Sequence, residues 1–247
     1  WDNELGDLGK NINRMATDIQ ALMEQKIDFE KQKKDYEYQV LQSQINPHFL
    51  YNTLDTIVWM AEFNDSKRVV EVTKSLAKYF RLALNQGHEQ ISLKDEIDHV
   101  RQYLFIQKQR YGEKLQYEIK ELKQYNDYKI PKLILQPLVE NAIIHGLADL
   151  PQGGEILIIC DTHKTDLRIR ILDDGVGIEP DRLAYIQAML NDSSGIFHQE
   201  NGMGIKNVAQ RIRLRCGSRY GVTISNRAEG GTCATVLLPL DYKEDST

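Results

Sequence analysis

Three polar segments in the second half of the chain carry the residue types that a nucleotide site needs. Asp173 follows an apolar stretch and can accept a hydrogen bond from an adenine amino group. Asn141 offers a hard oxygen of the kind that Mg²⁺ binds alongside phosphates and water. Glycines have no Cβ, so the backbone there can approach a ligand closely. The sequence therefore predicts an ATP and Mg²⁺ site formed by these residues: Asn141, His145, Asp173, Gly175, Gly177, Gly202, Gly204, Lys206, Asn207 and Thr232.

The order of these segments along the chain is more informative than any one of them. Gly202 and Gly204 lead into a predicted helix whose N-terminus favours anions. Either glycine cluster alone is more often a turn than a site. His145 either approaches phosphates or closes the end of a helix, and Thr232 either contacts phosphates or pairs in a hairpin, which we favour. Three arginines are interpreted as a solvated helix edge: Arg211, Arg213 and Arg215.

A candidate nucleophile lies far upstream, in Asn-Pro-His-Phe-Leu-Tyr-Asn over residues 46–52. Neutral imidazole carries a free lone pair near neutral pH, so His48 needs little activation. Asn52 lies one helical turn later on the same face and can orient the ring. Glu140 is the candidate base or water-orienting group. Without this context an exposed histidine is usually only solvated, but Phe49 and Tyr51 add the apolar surface that a docking face needs.

Apolar residues recur every seven positions over the first sixty residues. One position of the repeat holds Leu5, Ile12, Ile19, Val40 and Leu54, and the other holds Leu8, Met15, Leu22, Phe29, Tyr36, Leu50 and Ile57. This is the pattern of a coiled coil, and two-fold self-pairing is the simplest way to bury it. If the phase continues, His48 and Asn52 face solvent.

Pro47 interrupts this repeat. It predicts either a kink near Asn46 in a continuous helix or a new helix capped by Asn46, and we favour the kink because the repeat continues. A turn at 64–66 and a helix over 66–86 follow, with Val69, Val72, Leu76, Phe80 and Ala83 on one side. Two such helices in each of two chains would form a four-helix bundle.

Beyond Gly87 the pattern becomes mixed. Ser92 to Asp95 form a capping box that opens a helix ending near Gly112. The remaining predicted elements are strands over 115–121, 155–160, 166–172, 221–226 and 232–238, helices over 131–146, 179–190 and 203–216, and a loop over 191–201. The predicted fold class is α+β, with a helical hairpin followed by an α/β sandwich.

Bulk properties exclude several classes of protein. The chain has 247 residues, and its net charge of −5 disfavours nucleic-acid binding. Its three cysteines lack paired spacing, which disfavours a disulfide framework and a zinc site. No apolar run reaches the ~18 residues of a membrane span. The chain begins at Trp1, so we expect a fragment of a longer protein.

Residues 89–241 resemble the ATP-binding domain of the GHKL superfamily, with 140–146 similar to its N-box, 173–177 to its first glycine box and 202–207 to its second. Residues 41–86 resemble the histidine-bearing hairpin of LytS/YesM-like sensor histidine kinases, and residues 2–15 resemble the last helix of a HAMP module. This implies three domains: 1–40 signalling helix and coiled coil, 41–88 dimerisation and phosphoacceptor hairpin, 89–247 catalytic domain.

The resemblance also implies roles. His48 would be the phosphate acceptor, Asn141 would hold Mg²⁺, Asp173 would hold adenine, and 191–201 would be the lid. Two departures stand out: Asp174 occupies a place where asparagine is usual, and Phe49 follows the histidine where many kinases have an acid.

The favoured hypothesis is the cytoplasmic part of a bacterial membrane sensor kinase. It would autophosphorylate His48 within a homodimer and pass the phosphoryl group to an aspartate of a response regulator. The alternatives are a serine kinase of the anti-sigma type and a non-catalytic, ATP-gated dimer scaffold.

Overall fold

The computed structural model describes residues 26, 47–83, 90–147, 150–191 and 203–240 of the chain. The chain divides into two compact units, residues 1–52 and 53–247. The HAMP-like helix, the part of the predicted coiled coil before Pro47 except residue 26, and the predicted lid after Asn191 lie outside the described residues. The predicted domain boundaries stay predictions. Among the described helices, none combines the length and apolar character that a membrane crossing requires.

The described chain contains six α-helices and seven strands in mixed order. The helices are α1 (Pro47–Glu62), α2 (Ser66–Ala83), α3 (Leu93–Tyr111), α4 (Gln136–Asn141), α5 (Pro180–Asn191) and α6 (Met203–Cys216). The strands are β1 (Gln90–Ser92), β2 (Leu115–Lys120), β3 (Lys129–Pro131), β4 (Gly154–His163), β5 (Asp166–Asp173), β6 (Gly221–Asn226) and β7 (Thr232–Pro239).

The predicted turn between the first two helices is confirmed. Asn64 adopts φ 58°, and the N–H groups of Asn64 and Asp65 donate to the carbonyls of Ala61 and Met60 at 3.0 Å each, which is a Schellman ending for α1. Asp65 then caps α2, because its Oδ1 accepts from the N–H of Arg68 at 3.2 Å. One short segment thus ends one helix and starts the next.

Helix α1 buries a different face from the one that the seven-residue repeat predicts. Phe49 is 4% exposed, and Thr53 and Met60 are also buried, so the expectation that Phe49 adds outer apolar surface was wrong. These three residues recur at helical spacing and share one face. Tyr51 is 67% exposed, as expected. Asn46 lies outside the described residues, so the kink and the cap remain alternatives.

Helix α2 packs on α3. Its buried residues include Val72, Leu76 and Ala83, as predicted. Tyr79 is buried as well, whereas Phe80, which the sequence had favoured, is only half-buried. The predicted capping box opens α3: Ser92 Oγ accepts from the N–H of Asp95 at 3.0 Å. Gly112, at φ 62°, ends that helix.

The helix predicted over 131–146 starts later than expected. Pro131 belongs to β3, and the next residues form a turn because the buried carboxylate of Glu96 accepts the N–H groups of three successive residues: Leu133, Ile134 and Leu135, each at 2.8 Å. Leu133 has φ 56° as a result. Helix α4 therefore begins at Gln136. It continues as a π-helix over Ala142–Leu147.

The remaining strands form a five-stranded sheet in the order β2-β4-β5-β7-β6. The β2–β4 pair is parallel and the other pairs are antiparallel. Alternate residues of the central strands, such as Ile169 and Ile171 of β5, are buried. This alternation gives a sheet with helices on one face, so the predicted α/β sandwich is confirmed.

A buried histidine lies where α2 meets α3. The ring of His99 stacks on Tyr79, with ring centroids 4.4 Å apart and an interplanar angle of 17°. Neither ring nitrogen has a hydrogen-bond partner in the described part of the chain. Burial lowers the pKa of His99 from 6.5 to about 4. His99 is therefore neutral in the folded protein at neutral pH.

This burial predicts acid destabilisation. The unfolded chain takes up a proton at His99 below about pH 6.5, whereas the folded chain does so only near pH 4, so stability present above 6.5 is lost as the pH falls. Between about pH 7.5 and pH 5 the loss is about 2 kcal/mol. Phenylalanine keeps the stacking and cannot be protonated. Urea unfolding of His99→Phe should lack this loss.

His163 provides the control, because it is exposed at the end of β4. His163→Gln should show the same acid destabilisation as the wild type. Equal pH dependence in His99→Phe and the wild type would contradict the prediction.

Candidate active site

A cavity of about 700 Å³ opens between the sheet and the helices that cover it. Its lining combines the end of α4, the glycine segment after β5, the inner face of α5 and the start of α6. The polar and glycine residues that the sequence singled out and that line it are Asn141, His145, Asp173, Gly177 and Thr232. Five of the ten predicted binding residues are thus brought to one cavity.

Asp173 lies at the buried end of β5, with only 1% of its surface exposed. Its Oδ1 accepts the N–H groups of Gly175 at 3.0 Å and Thr232 at 3.1 Å, and its Oδ2 accepts the Thr232 hydroxyl. These donors fix the carboxylate in the cavity wall. Carboxylate oxygens can accept further bonds, so Asp173 can still receive an exocyclic amino group.

The glycines of this segment serve two separate purposes. A Cβ on Gly175 would lie 2.4 Å from the carbonyl oxygen of Gly146, so this glycine lets the segment approach the end of the π-helix. Val176 N–H donates to the same carbonyl at 3.2 Å. Gly177 has φ 75° and lines the cavity itself. Only Gly177 of the two therefore faces the cavity.

Asp174 has a structural task. Its Oδ1 accepts the N–H of Glu155 at 2.7 Å, and its own N–H donates to the Glu155 carbonyl at 3.3 Å. These two bonds extend the pairing of β4 with β5 by one step. Aspartate and asparagine both offer an acceptor oxygen at this place, which explains why aspartate is tolerated where asparagine is usual.

Asn141 meets the requirements of a Mg²⁺ ligand. Its Nδ2 donates to the Pro137 carbonyl of the preceding turn at 2.6 Å. Its carboxamide oxygen accepts no hydrogen bond from the described residues, and the side chain lines the cavity. A fixed amide with an uncommitted oxygen suits a cation that takes one or two protein ligands. His145, one turn later in the π-helix, is exposed and also lines the cavity.

Glu140 is next to Asn141 in sequence, but it does not line the cavity. Its Oε1 accepts Nε2 of Gln136 at 2.8 Å, and the same Nε2 donates to the hydroxyl of Tyr79 at 2.6 Å. Burial and the Glu140 charge raise the pKa of Tyr79. Glu140 thus lies among the side chains that join α4 to α2, and its proposed role as a base stays a prediction.

The second glycine segment is only partly described. Gly202 lies outside the described residues, and Gly204 is exposed at the start of α6. Lys206 is buried and Asn207 is exposed, and neither lines the cavity. The cavity receives Ile205 from this helix instead.

His48 lies on α1, in the other compact unit. It is exposed, and Nδ2 of Asn52 lies 3.1 Å from its Nε2 and 3.2 Å from its Nδ1. The Asn52 N–H can therefore donate to whichever ring nitrogen is unprotonated. The structure brings together the two residues that the sequence paired on one helix face.

Comparison with known proteins decides the family. Residues 36–115 match the model described as "Histidine kinase", and residues 126–242 match the "Histidine kinase-, DNA gyrase B-, and HSP90-like ATPase" model. The chain belongs to the histidine kinase family. Its helical region followed by a GHKL-type ATP-binding domain is the fold that the sequence predicted.

Several known proteins are similar over most of this histidine kinase chain. "Sensor histidine kinase YesM" of Bacillus subtilis is 32% identical over 96% of the chain and 39% of its own length, and "Sensor histidine kinase BtsS" of Escherichia coli is 32% identical over 94% and 40%. The chain thus spans about two fifths of these relatives. Among solved structures, the catalytic domain of histidine kinase ThkA is similar over 61% of the chain and 94% of its own, with 18% identity and a TM-score of 0.44.

Sequence reasoning missed the contribution of α5. Arg182, Tyr185 and Met189 of this helix line the cavity of the kinase, yet no motif marks them. The signal that could have found them is the position of α5 in the sequence, because a helix that starts directly after a glycine segment at the end of a strand has to cover that segment.

The interpretation of Arg211 as part of a solvated helix edge was also wrong. Arg211 is half-buried and donates to the Lys132 carbonyl at 2.6 Å.

Proposed function

We propose that this chain is the kinase region of a two-component sensor: ATP binds in the cavity, His48 is phosphorylated, and the phosphoryl group passes to an aspartate of a response regulator. The observation that most supports this proposal is that the same chain contains both features. One is the buried carboxylate of Asp173 in a cavity, and the other is an exposed histidine whose ring is held by Asn52. A nucleotide-binding protein alone has no need of the second feature.

The proposed chemistry is a single displacement at the γ-phosphorus. The unprotonated ring nitrogen of His48 forms the N–P bond as the bond between the γ-phosphorus and the bridging oxygen breaks, and ADP leaves. The N–H proton of the resulting imidazolium passes to solvent or to a base, for which Glu140 is the candidate. Asn52 holds the ring in one orientation before the reaction, and its N–H releases the lone pair of the unprotonated nitrogen when that nitrogen attacks. Mg²⁺, when bound with ATP, neutralises phosphate charge, and Asn141 is the residue that would hold it.

We propose a second copy of this chain as the dimer partner. Helix α1 leaves Leu54 44% exposed and Val58 and Trp59 57% exposed each, although all three are large and apolar. Leu54 continues the seven-residue repeat of the preceding segment. Val58 lies one helical turn after Leu54 on the same side of α1, and exposed apolar residues beside a coiled-coil repeat are what a two-fold bundle buries.

The response regulator and the membrane connection belong to the same proposal. The relatives that share most of this chain are named sensor histidine kinases and are about two and a half times as long. By analogy, we propose that this region lies in the cytoplasm below a membrane-spanning sensor region and a HAMP module.

The stability of the phosphoryl bond tests the proposed function. The chain is incubated with γ-labelled ATP and Mg²⁺, denatured, and held in acid or in alkali. Phosphohistidine loses its label in acid and keeps it in alkali, whereas the phosphoserine of an anti-sigma type kinase is stable in acid. A label that survives acid would contradict phosphorylation of His48, and nucleotide binding without any label would favour the scaffold.

A further inference from the structure

The hairpin between β6 and β7 holds the glycine segment of the cavity at both of its ends. At one end, Nη1 of Arg227 donates to the backbone carbonyl of Asp173 at 2.7 Å, and Thr232 binds the Asp173 carboxylate. A Cβ on Gly231 would lie 2.1 Å from that same carbonyl oxygen, so the hairpin turn packs directly on the segment. At the other end, the contact is made by one side chain, Asn226.

The carboxamide of Asn226 pairs with both backbone polar groups of Ile178. Its Oδ1 accepts the Ile178 N–H at 2.9 Å, and its Nδ2 donates to the Ile178 carbonyl at 2.7 Å. A neighbouring β-strand satisfies a residue in the same way, with one acceptor and one donor. Asn226 is the last residue of β6, so its side chain makes one further strand-like pair of hydrogen bonds at the point where the backbone strand ends.

Ile178 needs such a partner because Gly177 precedes it. Glycine has access to many backbone conformations, and at φ 75° it can pivot the residue that follows. Gly177 and Ile178 both line the cavity, as Asp173 and Thr232 do. The pair of bonds from Asn226 therefore determines where this wall of the cavity stands.

We propose that Asn226 is a positioning residue for nucleotide binding: by pairing with Ile178 it fixes the Gly177–Ile178 wall beside the base end of the nucleotide. This inference rests on the proposed function only in that the ligand is a nucleotide with its base at Asp173. It assigns Asn226 no part in phosphoryl transfer itself.

The test compares affinity with transfer. Binding of ADP and of a non-hydrolysable ATP analogue is measured by calorimetry for the wild type, Asn226→Ala and Asn226→Asp. Aspartate has the same shape and keeps the acceptor, but it sets a carboxylate oxygen against the Ile178 carbonyl. Both variants should bind each nucleotide about tenfold more weakly, since Asn226→Ala loses both hydrogen bonds, and Asn226→Asp loses one and places two oxygens against each other. The ratio of the two affinities should stay constant, because the proposal places this wall at the base end of the nucleotide, which ADP and the ATP analogue share.

Transfer provides the second readout. At saturating ATP, the single-turnover rate of His48 labelling should equal that of the wild type in both variants. Ser225→Ala, one residue earlier on the exposed edge of β6, is the matched control and should change neither affinity nor rate.

The outcomes separate this inference from the proposed function. Wild-type affinity in both Asn226 variants would overturn the inference, and so would a loss of rate at saturation without a loss of affinity. Nucleotide binding that depends on Asn226 in a protein that never labels His48 would uphold the inference and overturn the kinase proposal. Thermal melts identify any variant that fails to fold, and Asn226→Asp is the variant least able to disturb packing.

Discussion

Replacing His48 with glutamine is expected to remove labelling by γ-labelled ATP, on the order of a thousandfold or more. Glutamine keeps a polar side chain of similar size on the exposed face of α1, but its amide nitrogen carries no lone pair that can attack phosphorus. ATP-analogue affinity should be unchanged, because the cavity residues lie in the other compact unit. Loss of label with retained nucleotide binding is the decisive combination.

His163→Gln makes the same chemical change at another exposed histidine. It should label at the wild-type rate. Full labelling of His48→Gln would show that another residue of the chain accepts the phosphoryl group and would contradict the proposed role of His48.

Replacing Asp173 with asparagine is expected to weaken ATP-analogue binding by about a hundredfold, or ~2.8 kcal/mol. The buried carboxylate accepts three donors from Gly175 and Thr232. An asparagine amide group would face at least one of those donors with N–H groups of its own and would also repel the adenine amino group. Part of the loss should appear as lower thermal stability.

Asp174→Asn is the matched control, since it makes the same substitution one residue later. The asparagine oxygen can still accept the Glu155 N–H, so both nucleotide affinity and thermal stability should stay near wild-type values. Equal losses in the two variants would show that the effect comes from the β5 terminus as a whole and not from the Asp173 carboxylate.

The sequence predicted most of the fold because most elements are encoded locally. The capping box at Ser92, the hairpin glycines and the alternating strands each depend on residues a few positions apart. The predicted start of α4 was wrong because the true start depends on Glu96. This residue lies 37 to 39 positions before the residues whose N–H groups its carboxylate accepts. No window around Pro131 contains that information.

The candidate site shows the same division. Glycine and carboxylate motifs led to Asp173 and Asn141, and both line the cavity. Asn226 was missed because its bonds to Ile178 span 48 residues and it stands in an ordinary hairpin. Phe49 was misassigned because a seven-residue repeat describes how a helix pairs with a partner, and it does not reveal a second apolar face.

Tyr79 connects helix α2 to both α3 and α4. Its hydroxyl is bound by Gln136, which also holds Glu140, the residue before Asn141. Its ring lies flat on His99 of α3. We therefore expect a displacement of α2 to be passed to the helix that carries Asn141, the residue proposed to hold Mg²⁺, through the side chains of Tyr79, Gln136 and Glu140.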